Sequence, residues 1–280
     1  MTDLLIHSMA EFADTITACL DAAGARSIVE VGAEFGGMSQ RLADHARTNG
    51  GSLTSIDPAP KPEFLRWAAD NPHVRHIARP SLDAMPGLAE VDAWVIDGDH
   101  NYYTVANELA IAHRLSVRDG RPLLAFLHDV AWPCARRDMY YAPDRIPAEH
   151  RHPHRWDVGV TLDDGGVQVD RGFRGAGQFA IALRDGGPRN GVLTAIEDFI
   201  AGARDEGREL AFAFVPAVFG LGVVFAADAP WSAALAQILI PLHDNPLIAR
   251  LEENRLRNYL AVIDWQDRAN AAAQAHARAA

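Results

Sequence analysis

Cysteine is nearly absent from this chain: Cys19 and Cys134 are the only two in 280 residues. That excludes a disulfide framework and a cysteine-rich zinc module, and it fits a reducing compartment. Positive charge is also in deficit, with a formal net charge of -11 at pH 7. A sequence-independent grip on nucleic acid depends on Lys and Arg neutralising phosphates, so a small-molecule or protein partner is expected instead. No stretch reaches the roughly 18 uninterrupted apolar residues of a membrane span. The opening MTDLLIHSMAEFADTI has no basic region followed by an apolar core, and the expectation is a soluble, cytoplasmic protein without a membrane partner. Two further patterns are missing: there is no internal repeat, and the dinucleotide fingerprint G-x-G-x-x-G is not met.

What is present is ordinary globular composition, 49% apolar and 22% charged, enough for one large domain or one domain with an insertion. Short apolar runs at 27–32, 52–57, 73–78, 92–97 and 121–129 alternate with helical patterns at 9–23, 38–51, 64–70 and 103–117. Strands that are apolar nearly throughout, separated by helices, predict a doubly wound α/β fold with a mostly parallel sheet covered on both faces. From 130 to 190 the rhythm breaks. AWPCARRDMYYAPDRIPAEHRHPHRWD holds four prolines in 27 residues, and VGVT and VQVD flanking LDDGG predict a hairpin. This insertion is expected to be a lid or substrate-binding segment. A helix near 191–206, two apolar strands at 209–216 and 221–226, and helices over about 230–280 complete the chain. The last helix carries an apolar side of Leu247, Leu251, Leu256, Leu260 and Ile263, suited to packing on the domain or to forming a homo-oligomer.

Open parallel sheets bind ligands beyond the carboxyl ends of their strands, and the informative residues fall there. In EVGAEFGGMS, Gly32 permits a sharp exit from the first strand, and Gly36 and Gly37 permit close backbone approach to a ligand. Asp57 ends the second strand, 25 residues after Gly32, where an acid can accept hydrogen bonds from ribose hydroxyls or simply open an Asp-Pro turn. Ser81 follows the third strand, near a bound adenine or as a helix cap.

VEVGAEFGGMS, SIDPAP, VIDGDHNYYTVANEL and FLHDV, in this order and spacing, resemble the class I S-adenosylmethionine-dependent methyltransferases, and most of all the small-molecule O-methyltransferases with an IDGDHSY-type motif. The resemblance covers about residues 25 to 130, and the strands at 209–226 suit the antiparallel sixth and seventh strands of that seven-stranded fold. It implies S-adenosylmethionine as cofactor and a hydroxylated small molecule, a sugar or glycosylated natural product, as acceptor. It also makes Glu30, Gly32 and Gly36 the methionine-end loop, Asp57 the ribose acid, and Ser81 with Leu82 an adenine contact.

Methyl transfer to a hydroxyl needs an oxygen that is deprotonated in place, by a general base or by a divalent cation. His100 is the candidate base, since a neutral imidazole accepts a proton near pH 7; a helix-start histidine bonded to local backbone is its bland counterpart. Asp97 and Asp129 end neighbouring strands and are expected to face each other, and Asp97 is counted with both the catalytic and the cofactor-binding residues. Two close carboxylates suggest Mg²⁺, although members of the resembling family usually place a further acid where this chain has His128. Asp99 reads as a turn or cap residue, and one of Tyr102 and Tyr103 as a sheet contact. Arg136, Arg137, Tyr140 and Tyr141 are candidates for contacts to a sugar. His150, His152 and His154 lie around Pro153 with no fixed facial geometry, so a lid segment is expected there rather than zinc. The alternatives are a nicotinamide-dependent oxidoreductase on a Rossmann sheet and a non-catalytic cofactor-binding protein on the same fold.

Overall fold

The computed structural model describes residues Ser8 to Ala279, with side chains through Ala273; the first seven residues, part of the opening stretch read above, lie outside the described residues. In chain order, the first half runs α1 (Ala13–Ala23), β1 (Ser27–Val31), α2 (Gly37–Thr48), β2 (Ser52–Ile56), α3 (Pro62–Ala69), β3 (Val74–Ile77), α4 (Ser81–Ala84), β4 (Ala93–Ile96), α5 (Tyr102–Asp119) and β5 (Leu124–His128). Then come six short strands, β6 (Met139–Tyr140), β7 (His154–Arg155), β8 (Val158–Val160), β9 (Gln168–Val169), β10 (Phe173–Arg174) and β11 (Ala180–Ala182). The chain closes with α6 (Val192–Asp205), β12 (Leu210–Val215), β13 (Leu221–Ala226), α7 (Ser232–Leu239) and α8 (Pro246–Ala279).

The main sheet has seven strands in the order β12-β13-β5-β4-β1-β2-β3. Pairings β1·β2, β1·β4, β2·β3 and β4·β5 are parallel. β13 runs antiparallel to both β5 and β12, so β12 again points the same way as β5. The strands read at 209–216 and 221–226 are antiparallel neighbours at the end of the sheet, as expected, and of the two only β13 opposes the rest of the sheet. A tight turn joins β12 to β13 as a hairpin, whereas parallel neighbours need long crossovers.

Period-two alternation divides the central strands between two cores. Trp94, Ile96, Ala125 and Leu127 face a core shared with α5 and α6. Ala93, Val95, Leu124 and Phe126 face the other, shared with α1, α2 and α7. Burial on both faces explains why these strands read as continuous apolar runs. α5 begins at Asn101, whose side chain accepts from the Thr104 amide, and ends at Gly120 in the left-handed conformation, the expected stop for a helix.

The insertion forms two small sheets, β6-β11-β7 and β10-β8-β9, including the expected hairpin between β8 and β9. The apolar side expected of α8 divides. Leu256 is buried and Leu260 packs on the core, but Leu247 and Leu251 are exposed, as are Val262 and Trp265 further along the helix. The spacing Leu256–Leu260–Ile263 follows one helical stripe, and Leu247–Leu251 falls on another.

Candidate active site

The carboxyl ends of β1, β2, β4 and β5 meet along one edge of the sheet, where the strand order reverses between β1 and β4. Backbone approach there is very close. Gly32 has φ 88°, and a Cβ on it would collide with the Asp97 carbonyl; a Cβ on Gly98 would lie 2.8 Å from Val31 Cγ1. These two glycines let the β1 and β4 exits cross, which is why Asp97 stands beside the β1 loop.

On the β1–β2 side, Glu30 is buried within β1, and its Oε2 accepts from Ser39 Oγ and Ser55 Oγ, each at 2.6 Å. Its Oε1 is buried without a hydrogen-bond partner. Burial, opposed by the two serine hydroxyls, pushes this carboxyl up to about 7. Asp57 Oδ2 accepts from the Ala33 and Glu34 amides at 2.9 and 3.1 Å, and its Oδ1 from Ala59 at 2.8 Å. Asp57 is thus the tie that shapes the Ala33–Gly36 loop, and three of about four acceptor positions on a carboxylate are occupied. The turn reading of Asp57 holds, and room is left for about one further donor. Gly36, at φ 85°, begins α2. Ser81 is the first residue of α4 and makes no capping bond; it is buried, and Leu82 packs on the core.

The β4–β5 side gathers four titratable groups. His100 Nδ1 is 3.2 Å from Asp129 Oδ2. His128 Nδ1 lies 3.1 Å from Asp97 Oδ1 and 3.4 Å from Asp129 Oδ2, and its Nε2 is 2.8 Å from the Val218 carbonyl. Burial works against charge on His128, but the carboxylates of Asp97 and Asp129 outweigh it and hold its pKa well above the ordinary imidazole value. His128 was not selected from the sequence as a functional residue. The only signal was its position, the strand-five neighbour of Asp129, where an acid was expected. Left-handed backbone at Asp129, Val218 and Phe219 (φ 60°, 46° and 63°) borders the cluster; strain at non-glycine residues concentrates at functional sites.

Asp97, His100 and Asp129 each present a ligand atom within 4.8 Å of the others. Two carboxylates and an imidazole fit a divalent cation by donor type. His128 is a competing positive group on the same two carboxylates. Asp99 takes the local role read for it, accepting from Asn101 Nδ2 at 2.6 Å and Thr104 Oγ1 at 2.9 Å.

The insertion treats its candidates unequally. Arg136 pairs with Glu197 and Thr194, buried Arg137 donates to the Ala182 and Gly165 carbonyls, and Tyr140 is fully buried, donating to Asp138. These three side chains are committed to internal contacts rather than to the expected sugar. Only Tyr141 stays exposed, with its ring centroid 5.6 Å from that of His100; crowding and the charges of Asp129 and Asp97 raise its phenol above the ordinary value. The three histidines do not converge. His150 stacks on Tyr103 at 4.8 Å, His152 Nε2 meets the Arg189 carbonyl, and His154 packs on Tyr140. Tyr102 packs against the core on one face of the main sheet, as expected for one of the pair, while its hydroxyl donates to Asp198.

Residues 29–130 match a family model described as a methyltransferase domain. No curated protein matches. Among solved structures, the chain is similar to a candidate caffeoyl-CoA O-methyltransferase from Staphylococcus aureus, at 14% identity over 77% of this chain and 83% of that one, TM-score 0.43. It is also similar to an S-adenosylhomocysteine-bound methyltransferase from Podospora anserina, at 13% identity over 75% and 76%, TM-score 0.41. A third is the 1,6-didemethyltoxoflavin N1-methyltransferase of Burkholderia thailandensis, at 14% identity over 80% and 92%, TM-score 0.39. The segment that matches the methyltransferase-domain model spans β1 to β5, and the seven-stranded sheet around it carries one antiparallel strand.

Proposed function

We propose that this chain is an O-methyltransferase that moves the methyl group of S-adenosylmethionine to a hydroxyl of a small molecule, with His100 as general base. The observation that carries the reading is the convergence of Asp97, His100 and Asp129 beyond β4 and β5, beside the glycine-lined β1 loop. The cofactor supplies an electrophilic methyl on a sulfonium. The rest falls to the chain: Gly32, Gly36 and Asp57 shape the loop for the cofactor, with one acceptor position of Asp57 left for a ribose hydroxyl. Glu30 stiffens the β1–β2 edge beneath the loop, and Ser81 with Leu82 borders the adenine end. Asp129 holds the His100 ring from its Nδ1 side, so the imidazole is oriented to take the acceptor hydroxyl proton as oxygen forms its bond to the methyl carbon and the carbon–sulfur bond breaks. The 130–190 insertion serves as the lid and the wall of the acceptor pocket.

A second reading adds Mg²⁺ or a similar cation, which Asp97, His100 and Asp129 would hold and which would supply Lewis-acid activation of the acceptor hydroxyl. The clustered donors favour it, and the His128 contacts to the same carboxylates offer charge compensation without a metal.

The test is calorimetry with S-adenosylhomocysteine and NAD, followed by a screen of hydroxylated small molecules with labelled S-adenosylmethionine. Binding of NAD in place of the methyl donor product would overturn the proposal in favour of an oxidoreductase. Binding without transfer to any acceptor would favour the non-catalytic reading. An unchanged rate in chelator removes the cation.

A further inference from the structure

α8 is a 34-residue helix whose two faces meet different surroundings. Towards the domain it turns Glu252 and Leu256, both buried, with Tyr259 and Leu260 packed on the core. On the other side stand Leu247, Leu251, Val262 and Trp265, all exposed, Trp265 at 70% and Leu247 at 66%. At 3.6 residues per turn these four fall within roughly 60° of one another, so they form one stripe. Asn254 and Asn258 lie in its middle, where Asn258 Nδ2 donates to Asn254 Oδ1 at 3.1 Å, and exposed Ala269 extends it. A second apolar stripe left in water on one helix marks a surface that another element covers.

The order of residues in the stripe points to what covers it. Leu247, Leu251, Asn254, Asn258, Val262, Trp265 and Ala269 follow at steps of 4, 3, 4, 4, 3 and 4, a series that reads the same from either end. Steps of three and four are those of helices that pair along a seam. Two copies of α8 laid antiparallel about a two-fold axis at Asn258 place Leu251 against Trp265, Leu247 against Ala269 and Asn254 against Val262, with Asn258 meeting its own equivalent. Such a self-complementary patch is what an isologous interface requires. An asparagine in a seam fixes register, and antiparallel order sets opposed helix dipoles side by side. On the rim, Arg250 and Arg257 pair with Glu253, and Arg268 with Asp264, so these arginines bring no uncompensated charge to the contact. Covering Trp265 withdraws about 150 Å² or more on each copy. With both leucines and Val262, the pair approaches the roughly 1,000 Å² total that a specific interface needs.

We propose that a second copy of this chain covers the stripe, forming a two-fold dimer through antiparallel α8 helices with Asn258 at the axis. The surface differs from the apolar side read in the sequence, because Leu256 and Leu260 are taken by the domain itself.

Sedimentation equilibrium of the full chain at about 100 µM, where a dimer with a micromolar Kd is nearly complete, should give twice the chain mass. Leu251→Glu and Trp265→Glu should each weaken association at least tenfold, with far-ultraviolet circular dichroism unchanged because both positions are exposed. Cross-linking reads the register independently of these variants, since Cys19 and Cys134 are buried. Asn254→Cys mixed with Val262→Cys should give a disulfide-linked heterodimer on oxidation. Asn254→Cys alone should not link, because its two copies lie about 12 Å apart along the antiparallel pair, beyond the reach of a disulfide. A monomer at that concentration, a dimer indifferent to both glutamates, or self-linking of Asn254→Cys overturns the proposal. A stripe that serves a different protein would appear as the first of these.

Discussion

His100 and Asp129 make the sharpest residue-scale pair, since their 3.2 Å contact orients the ring. His100→Ala should slow methyl transfer by roughly 10² to 10⁴ while S-adenosylhomocysteine affinity holds within a few fold; near-normal single-turnover rates would end its role as base. A different kind of prediction concerns buried acids. Burial pushes Glu30 up to about 7 and Glu108, at the centre of α5, up to about 8. An acid whose pKa is raised on folding binds more protons in the native state, so it favours the fold at low pH and disfavours it as pH rises from the unfolded value near 4.5 through the folded one. The penalty then levels off. Glu108→Gln should therefore gain in melting temperature over the wild type on going from pH 5 to pH 9. A constant difference between the two proteins across that range would show that Glu108 is ionised throughout. The sequence displayed His100, Asp97 and Asp129 because each directly follows or lies three residues beyond an apolar run. It did not display His128, whose importance comes from Asp97 at the end of β4 and the Val218 carbonyl as well as from its own neighbour Asp129.

At the scale of elements, Asp138 ties the insertion to the catalytic edge. Its Oδ1 accepts from the Tyr102 amide at the start of α5 and from Gly191 ahead of α6, at 2.8 and 2.7 Å, while its Oδ2 accepts from Tyr140 Oη at 2.8 Å. One buried carboxylate thus serves two helix N-termini, where negative charge is favoured. Asp138→Ala strands all three donors, and a loss of about 3 kcal/mol is expected, read as a lower urea midpoint with an unchanged m-value. A loss below about 0.5 kcal/mol would mean that water replaces the carboxylate. The helices and parallel strands were legible from periodicity, including the ends of α5. The antiparallel insertion strands β6, β7, β10 and β11 were not, because two- and three-residue strands carry no period and are held by Asp138, Asn190 and Arg137 from outside themselves.

For the whole molecule, the question is what fastens α8 across the insertion. Arg174 pairs with Asp267 at 2.6 Å, Arg257 with Asp163 at 3.0 Å, and Arg171 with Asp264. These partners are solvent-exposed in part, so Asp267→Ala should cost under about 1 kcal/mol. Leu256 is 3% exposed in the core, and Leu256→Ala should cost about 2 to 4 kcal/mol. Thermal unfolding of the two variants in low and high salt checks the ordering; the reverse order would make the ion pairs the principal fastening. α8 also reaches the site, since Glu252 accepts from the Phe219 amide at 3.1 Å in the loop whose Val218 carbonyl meets His128.

By itself, the sequence determined the doubly wound sheet, the strand ends that carry Glu30, Asp57, Asp97 and Asp129, and the resemblance to a methyltransferase, because alternating periodicities and glycine-punctuated strand exits are local properties. Only the tertiary structure decided that His128 bridges both carboxylates, that the arginines and Tyr140 of the insertion are spent on internal contacts, and that Tyr141 stands beside His100. Those outcomes depend on contacts between residues up to 90 positions apart, such as His128 with Val218, and no spacing rule along the chain encodes which side chains meet across that distance.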